Sequence, residues 1–183
     1  MDDQETARLI LRRLSRHAIE AGLSGDLRTV ESHLDAKVPV DLADDPAALR
    51  FALAQLAADP GYLPWSVRAL ILKESGEMVG HIRFHTRPDP DYLKPYAEMA
   101  VEFGYTVFAA HRRRGYAGEA IDGAMRWAHD EHGIRRFIVT ISPDNVASLR
   151  LADRFGFRKI GQHVDEVDGV EGIYLREVAR LDF

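Results

Sequence analysis

Between residues 99 and 165 the chain switches twice from a short apolar run to a helical stripe and back, which restricts it to an α/β architecture. Met99–Phe108 (MAVEFGYTVF) has the length and the β-branched and aromatic content of a strand. Arg114–Glu131 follows, with Ala117, Ala120, Ile121, Ala124 and Ala128 on one face of a helix. Phe137–Ile141 (FIVTI) is a continuous apolar run suited to a strand covered on both faces. Asn145–Phe155 reads as a second helix, stopped by Gly156, and Phe157–Val164 as a further strand.

The flanks add antiparallel pieces. Ser66–Lys73 and Met78–His85 are strand-like on either side of the turn sequence Glu74-Ser75-Gly76-Glu77, which makes a hairpin. Arg8–Leu14 (RLILRRL) reads as a first strand, and Ala18–Leu23 and Asp26–Asp35 as short helices. Asp45-Pro46 marks another helix start, with Asp45 as cap, and Pro60-Gly61 ends that helix. Thr86–Glu98 holds three prolines and reads as a loop; Asp165–Gly169 is turn-like and Glu171–Leu181 a last strand. The expected fold is mixed α/β, with a mostly antiparallel sheet of about seven strands flanked by helices. The 183 residues fit a single domain over 1–183, with subregions 6–65, 66–141 and 142–183.

Composition excludes several functions. No apolar stretch approaches the ~20 residues that span a bilayer, and the acidic Met1–Glu5 leads into no apolar run, so neither a membrane span nor a signal peptide is expected. Cysteine is absent, which removes thiolate chemistry and fits a cytoplasmic address. The net charge of −5 gives no reason to expect a nucleic-acid partner. His129 and His132 offer two ligands on one helix, a surface pair rather than a metal site.

The chemistry concentrates in Val101–Glu119, VEFGYTVFAAHRRRGYAGE. A helix start needs acceptors for its first four N–H groups, ordinarily from Ser, Thr, Asp or Asn. Here His111-Arg112-Arg113 precede it and accept nothing, while Gly115, Ala117 and Gly118 leave the backbone open to close approach. Two readings fit: a phosphate or pyrophosphate site, or a solvated basic loop.

Arg112-Arg113-Arg114-Gly115-Tyr116-Ala117 is similar to the (Q/R)-x-x-G-x-(G/A) signature of the GNAT N-acetyltransferases. Glu102-Phe103-Gly104-Tyr105 resembles the strand before that signature in the branch that includes the ribosomal-protein alanine N-acetyltransferases. Asn145-Val146-Ala147-Ser148 with Phe155-Gly156-Phe157 resembles the family's N-x-x-S…GF helix, and Thr6–Arg12 (TARLILR) the branch's opening. The resemblance implies acetyl-CoA as cosubstrate, without a metal, in a V-shaped opening between the 99–108 and 137–141 strands. It places backbone N–H groups near Val107 and Ala109 on the acetyl and pantetheine portions. Arg112, Arg113, Arg114, Gly115, Tyr116, Ala117 and Gly118 would surround the pyrophosphate, and Asn145 would reach the pantetheine arm.

By the same resemblance Glu102 is the candidate base, acting through water, and Ser148 the group that protonates or steadies the thiolate. Glu102 alternates with Val101 and Phe103, so it projects from the opposite strand face; an ion pair with His or Arg of the strand bearing His81, Arg83 and His85 is its other reading. Many relatives carry a general-acid Tyr four residues before the GF glycine, where this chain has Ala152; Ser148, Tyr105 or water then serve. Tyr105 reads as core packing by default. The acceptor is a protein N-terminus or a small amine, shaped by residues 15–65, 86–98 and 165–171. Asp89, Asp91, Glu98, Asp165, Glu166 and Asp168 form an acidic rim there or simply solvated charges. The resemblance also implies a homodimer, and the alternative function is a catalytically silent acyl-CoA-binding regulator.

Overall fold

A computed structural model describes residues 3–165 and 169–178. Its strands are β1 (Gln4–Glu5), β2 (Leu9–Arg13), β3 (Arg68–Leu72), β4 (Met78–Phe84), β5 (Ala100–Val107), β6 (Arg136–Ile141), β7 (Arg158–Asp165) and β8 (Gly169–Glu177). They form one sheet in the order β1-β2-β3-β4-β5-β6-β8-β7. Every neighbouring pair is antiparallel except β5–β6. The fold class is as expected, with one more strand. Gln4–Glu5 is too short to carry a periodic pattern, and only its pairing with Ile10 and Leu11 reveals it.

Helices α1 (Arg16–Ser24), α2 (Leu27–Leu34), α3 (Asp41–Asp44) and α4 (Ala47–Ala58) fill the connection from β2 to β3. Capping fixes the first two, because Ser15 accepts the N–H of Ala18 and Asp26 that of Thr29. Asp45 does not cap α4. Its N–H bonds Asp41 O and closes α3, a one-turn helix too short to show in the pattern, and Pro46 stands before α4 without a side-chain cap. The last strand ends at Glu177 rather than Leu181, which lies outside the described residues, as do 166–168 of the expected turn.

Helix α5 (Tyr116–His132) lies across β2, β4 and β5, and α6 (Val146–Arg154) against β6. The buried stripe of α5, Ala120, Ile121, Gly123, Ala124, Met125 and Ala128, is mostly small. A Cβ on Gly123 would stand 2.8 Å from Thr6 Cγ2, so a larger residue would push the helix off β2. Phe103, Phe137, Val139 and Phe157 complete this part of the core, each large side chain contributing about 1.5–3 kcal/mol of burial.

Strand β5 pairs with β6 only at Ala100–Arg136, Val101–Phe137 and Glu102–Ile138. Beyond Glu102, β5 stays with β4 up to Gly80–Val107, and β6 stays with β8 up to Ile141–Gly172. The parallel pair therefore opens into a V. Among the described residues, no helix is long and apolar enough to cross a membrane and no cluster of three metal-ligating side chains occurs. His129 Nδ1 meets Ile134 O at 3.0 Å, and the His132 ring packs 4.6 Å from that of Trp65.

Candidate active site

The open edge of β5 supplies the first part of the site. Glu102 O accepts the N–H of His85 and Phe108 N–H donates to Val79 O, so even-numbered residues here turn their backbone groups toward β4. By the two-residue period, the groups of Phe103, Tyr105 and Val107 face the V. Val107 O is occupied by Arg112 Nε at 2.9 Å, which ties this arginine to the strand end.

The loop that follows is built to leave donors free. A short 3₁₀ turn, Ala109–His111, leads into Arg112, and Arg113 and Gly115 then take positive φ of 62° and 84°. Helix α5 consequently begins at Tyr116, not Arg114, because a left-handed residue cannot continue a right-handed helix. Gly115 sits at the N-cap position and no side chain caps the helix. Left-handed residues at the start of an uncapped helix make a concave set of N–H groups at its positive end. A clamp holds this loop in place. Glu119 accepts Thr6 Oγ1 at 2.5 Å, Arg8 N at 2.6 Å and Arg8 Nε at 2.7 Å, and Arg8 Nη1 donates to Arg114 O at 3.0 Å.

Two adjoining clefts occupy this region. The larger, ≈ 1070 Å³, takes in Tyr105–Val107, the 109–118 loop and the start of α6. The smaller, ≈ 280 Å³, occupies the V. Its wall combines Phe103, Tyr105 and Val139 from the helix side of the sheet with Gly104 and Thr140 from the other side. Tyr105, Asn145 and Ser148 line both. There Tyr105 Oη donates to Ser148 Oγ at 3.1 Å, and Asn145 Oδ1 caps α6 by accepting the N–H of Ser148, also at 3.1 Å. Burial raises the Tyr105 pKa above its ordinary value, against the lowering effect of Ser148, so the phenol keeps its proton at neutral pH.

The family profile described as "Acetyltransferase (GNAT) domain" matches residues 8–158. The chain belongs to the GNAT acetyltransferases. As a GNAT protein it is an acyltransferase, and relatives it matches are named as acetyltransferases, several of them as N-acetyltransferases. YoaA of Bacillus subtilis, an uncharacterised N-acetyltransferase, is 28% identical over 160 residues, 86% of this chain and 83% of YoaA. The match to YnaD of the same organism, also uncharacterised, spans about half of that relative, 49% of its length. An L-2,4-diaminobutyric acid acetyltransferase of Streptomyces coelicolor is 34% identical over 128 residues, 64% of this chain and 71% of that one. Among solved structures, RimL, a ribosomal L7/L12 α-N-protein acetyltransferase in complex with coenzyme A, shares the fold with a TM-score of 0.63 at 17% identity, over 97% of this chain and 98% of that one.

The larger cleft of this GNAT chain brings together Val107, Ala109, Arg112, Arg113, Arg114, Gly115, Tyr116, Ala117, Gly118, Asn145 and Ser148. It adds Arg150 and Arg154, which sequence reasoning passed over; their four-residue spacing on α6 was the available signal. Ser148 Oγ meets Tyr105 Oη, and Asn145 uses its side-chain oxygen to cap α6, which leaves its amide NH2 to donate to a ligand. Tyr105 is both packed against the core and turned by its hydroxyl toward the clefts.

Glu102 lines neither cleft. Its carboxylate is buried on the far side of β5, accepting Thr140 Oγ1 at 2.6 Å and Tyr92 Oη at 2.8 Å, with His85 Nδ1 at 3.3 Å. Burial pushes its pKa up, but His85, Thr140 and Tyr92 together outweigh that and hold it below the usual glutamate value. His85, named from sequence only as an ion-pair partner, turns its Nε2 over Gly104, 3.1 Å from where a Cβ would stand. The acidic rim is locally engaged: Asp89 accepts the N–H of Met99, Asp91 pairs with Lys94 at 2.7 Å, and Glu98 is exposed. The side chains of Asp165, Glu166 and Asp168 lie outside the described residues.

Proposed function

We propose that this GNAT chain moves the acetyl group of acetyl-CoA to a primary amine by direct attack. One observation carries the reading: the smaller cleft lies in the V, and its lining includes Gly104 and Thr140, whose strand positions alternate with those of Phe103, Tyr105 and Val139. A thioester delivered along the helix side thus meets a nucleophile arriving over Gly104. The larger cleft suits the coenzyme, with the uncapped start of α5 for the pyrophosphate and Arg113, Arg114, Arg150 and Arg154 for its remaining charge.

In the reaction the amine nitrogen bonds to the acetyl carbon and the carbon–sulfur bond breaks. Edge N–H groups of β5, that of Val107 included, stabilise the oxyanion. With Nδ1–H donating to Glu102, His85 Nε2 accepts the amine proton, and Glu102 orients the ring and balances its charge. Tyr105, hydrogen-bonded to Ser148, protonates the departing thiolate. The relative named for L-2,4-diaminobutyric acid makes an amino acid side-chain amine one acceptor to test; N-terminal peptides are another.

Calorimetric titration with acetyl-CoA, followed by thiol release over amino acids, diamines and N-terminal peptides, tests this. A Kd near 1 μM, roughly −8 kcal/mol, with thiol release for one class is the expected result. No binding refutes the site; binding with no thiol release from any amine refutes the transfer step.

A further inference from the structure

We propose that Arg83 is a carboxylate receptor, so that the acceptor of this enzyme is an amine carrying a carboxylate a few bonds from the nucleophilic nitrogen. This rests on the amine-acetylation reading above and narrows its substrate class to amino acids.

Arg83 stands opposite Gly104 in the β4–β5 register, two residues before His85 and on the same sheet face. Its Nη1 lies 3.6 Å, and His85 Nε2 3.1 Å, from the point where a Cβ of Gly104 would be. A cation and the proton acceptor thus converge on one spot at the edge of the V, close enough for a small molecule to touch both.

The guanidinium has no partner of its own. Among the described residues, Arg8, Arg12, Arg87 and Arg136 each hold a carboxylate within 2.9 Å, whereas no carboxylate comes within ion-pair distance of Arg83. Yet Arg83 is only partly exposed, and its Nε is fully buried with no acceptor. It lies over the Phe51 ring of α4, Cζ 4.9 Å from the centroid, a contact that leaves its N–H groups unsatisfied. Glu102 is near, but its two oxygens already serve Thr140, Tyr92 and His85. Burial lowers the Arg83 pKa, opposed by Tyr62, Glu102 and Asp45, so the fold keeps a cation there without neutralising it.

A partly desolvated, unpaired guanidinium is costly to stability unless a ligand completes it. The planar fork matches a carboxylate in two parallel hydrogen bonds. A phosphate dianion fits worse, since Glu102 lies beside this cation and would repel the second negative charge. Amine at His85 and carboxylate at Arg83 then fix the acceptor at both ends.

The test compares amino acids with their own carboxamides, L-2,4-diaminobutyric acid included. Wild type, Arg83→Met and Arg83→Lys are each saturated with acetyl-CoA for thiol release, and with CoA for calorimetric binding of the acceptor. Wild type should favour acids over amides by at least about tenfold in KM. Arg83→Met should abolish that ratio with its melting temperature unchanged or higher, since an uncompensated buried charge is gone. Arg83→Lys, which keeps the charge and loses the fork, should recover part of the ratio. If Arg83→Met does not fold, a reduced ratio in Arg83→Lys supports the assignment and an unchanged one overturns it. Equal use of acids and amides by wild type, or a ratio that survives Arg83→Met, overturns it as well. Should no amine release thiol while acids still bind wild type and not Arg83→Met, the transfer reading falls and the carboxylate site stands; without that binding difference both fall.

Discussion

Replacing Glu102 with glutamine separates the catalytic account from a purely structural one. The glutamate accepts three groups, from Thr140 on one oxygen and from Tyr92 and His85 on the other. A glutamine has one accepting oxygen. Set toward Tyr92 and His85, it keeps both donors, and its NH2 donates to Thr140, whose hydroxyl can turn to accept. The fold therefore loses the difference between charge-assisted and neutral bonds, about 1–3 kcal/mol in all. For a chain of this size that lowers Tm by roughly 2–12 °C. The catalytic loss is larger, because His85 no longer has an anion to balance the proton it receives: turnover should fall by roughly 10²–10⁴-fold. The acetyl-CoA Kd should stay within about threefold, since Glu102 lines neither cleft. Thermal melting, calorimetry with acetyl-CoA and thiol release from pH 6 to 10 supply the three numbers. Turnover within a few-fold of wild type at every pH, in a folded variant, would refute the His85–Glu102 proton path. A lost acetyl-CoA affinity would show instead that Glu102 supports the V itself.

Three further outcomes follow from the same geometry. Asn and Asp both tolerate the positive φ of Gly115, so Gly115→Asp should bind acetyl-CoA at least about tenfold more weakly than Gly115→Asn through charge alone; equal calorimetric affinities would remove this loop from the phosphate site. Tyr105→Phe should lower kcat by about 100-fold with little change in acetyl-CoA affinity, and an unchanged kcat would pass the proton-donor role to Ser148 or water. His81 is buried and its pKa is pushed down to about 4 by burial and by Arg83, against a weaker opposing effect of Asp45. The unfolded chain takes up that proton below its ordinary 6.5 while the native one stays neutral to about 4, so stability falls as pH drops through this window, by about 3 kcal/mol. Urea midpoints between pH 7 and 4 should show that slope in wild type and a flatter one in His81→Leu.

What was legible in the sequence was local. The strand patterns of β3 to β6, the apolar stripe of α5 and the helix that starts at Asn145 each arise within one to four residues, where backbone geometry and side-chain period are coupled directly. The loop at 112–118 was legible for the same reason, since its missing cap and its glycines are adjacent. The same local reading misjudged Arg114 as helical, because an apolar stripe carries no information about the φ of the residues leading into it.

The tertiary structure decided what register and packing bring together. Tyr105 reaches Ser148 across 43 residues, and Arg8 reaches Arg114 across 106. His85 and Arg83 face Gly104 only because β4 and β5 pair in one particular register, and a shift of one residue would turn both to the other face. The chain alone fixes which residues alternate along each strand. Which alternating sets share a face, and which arginine is left there without a partner, depends on long-range contacts that no window of sequence contains.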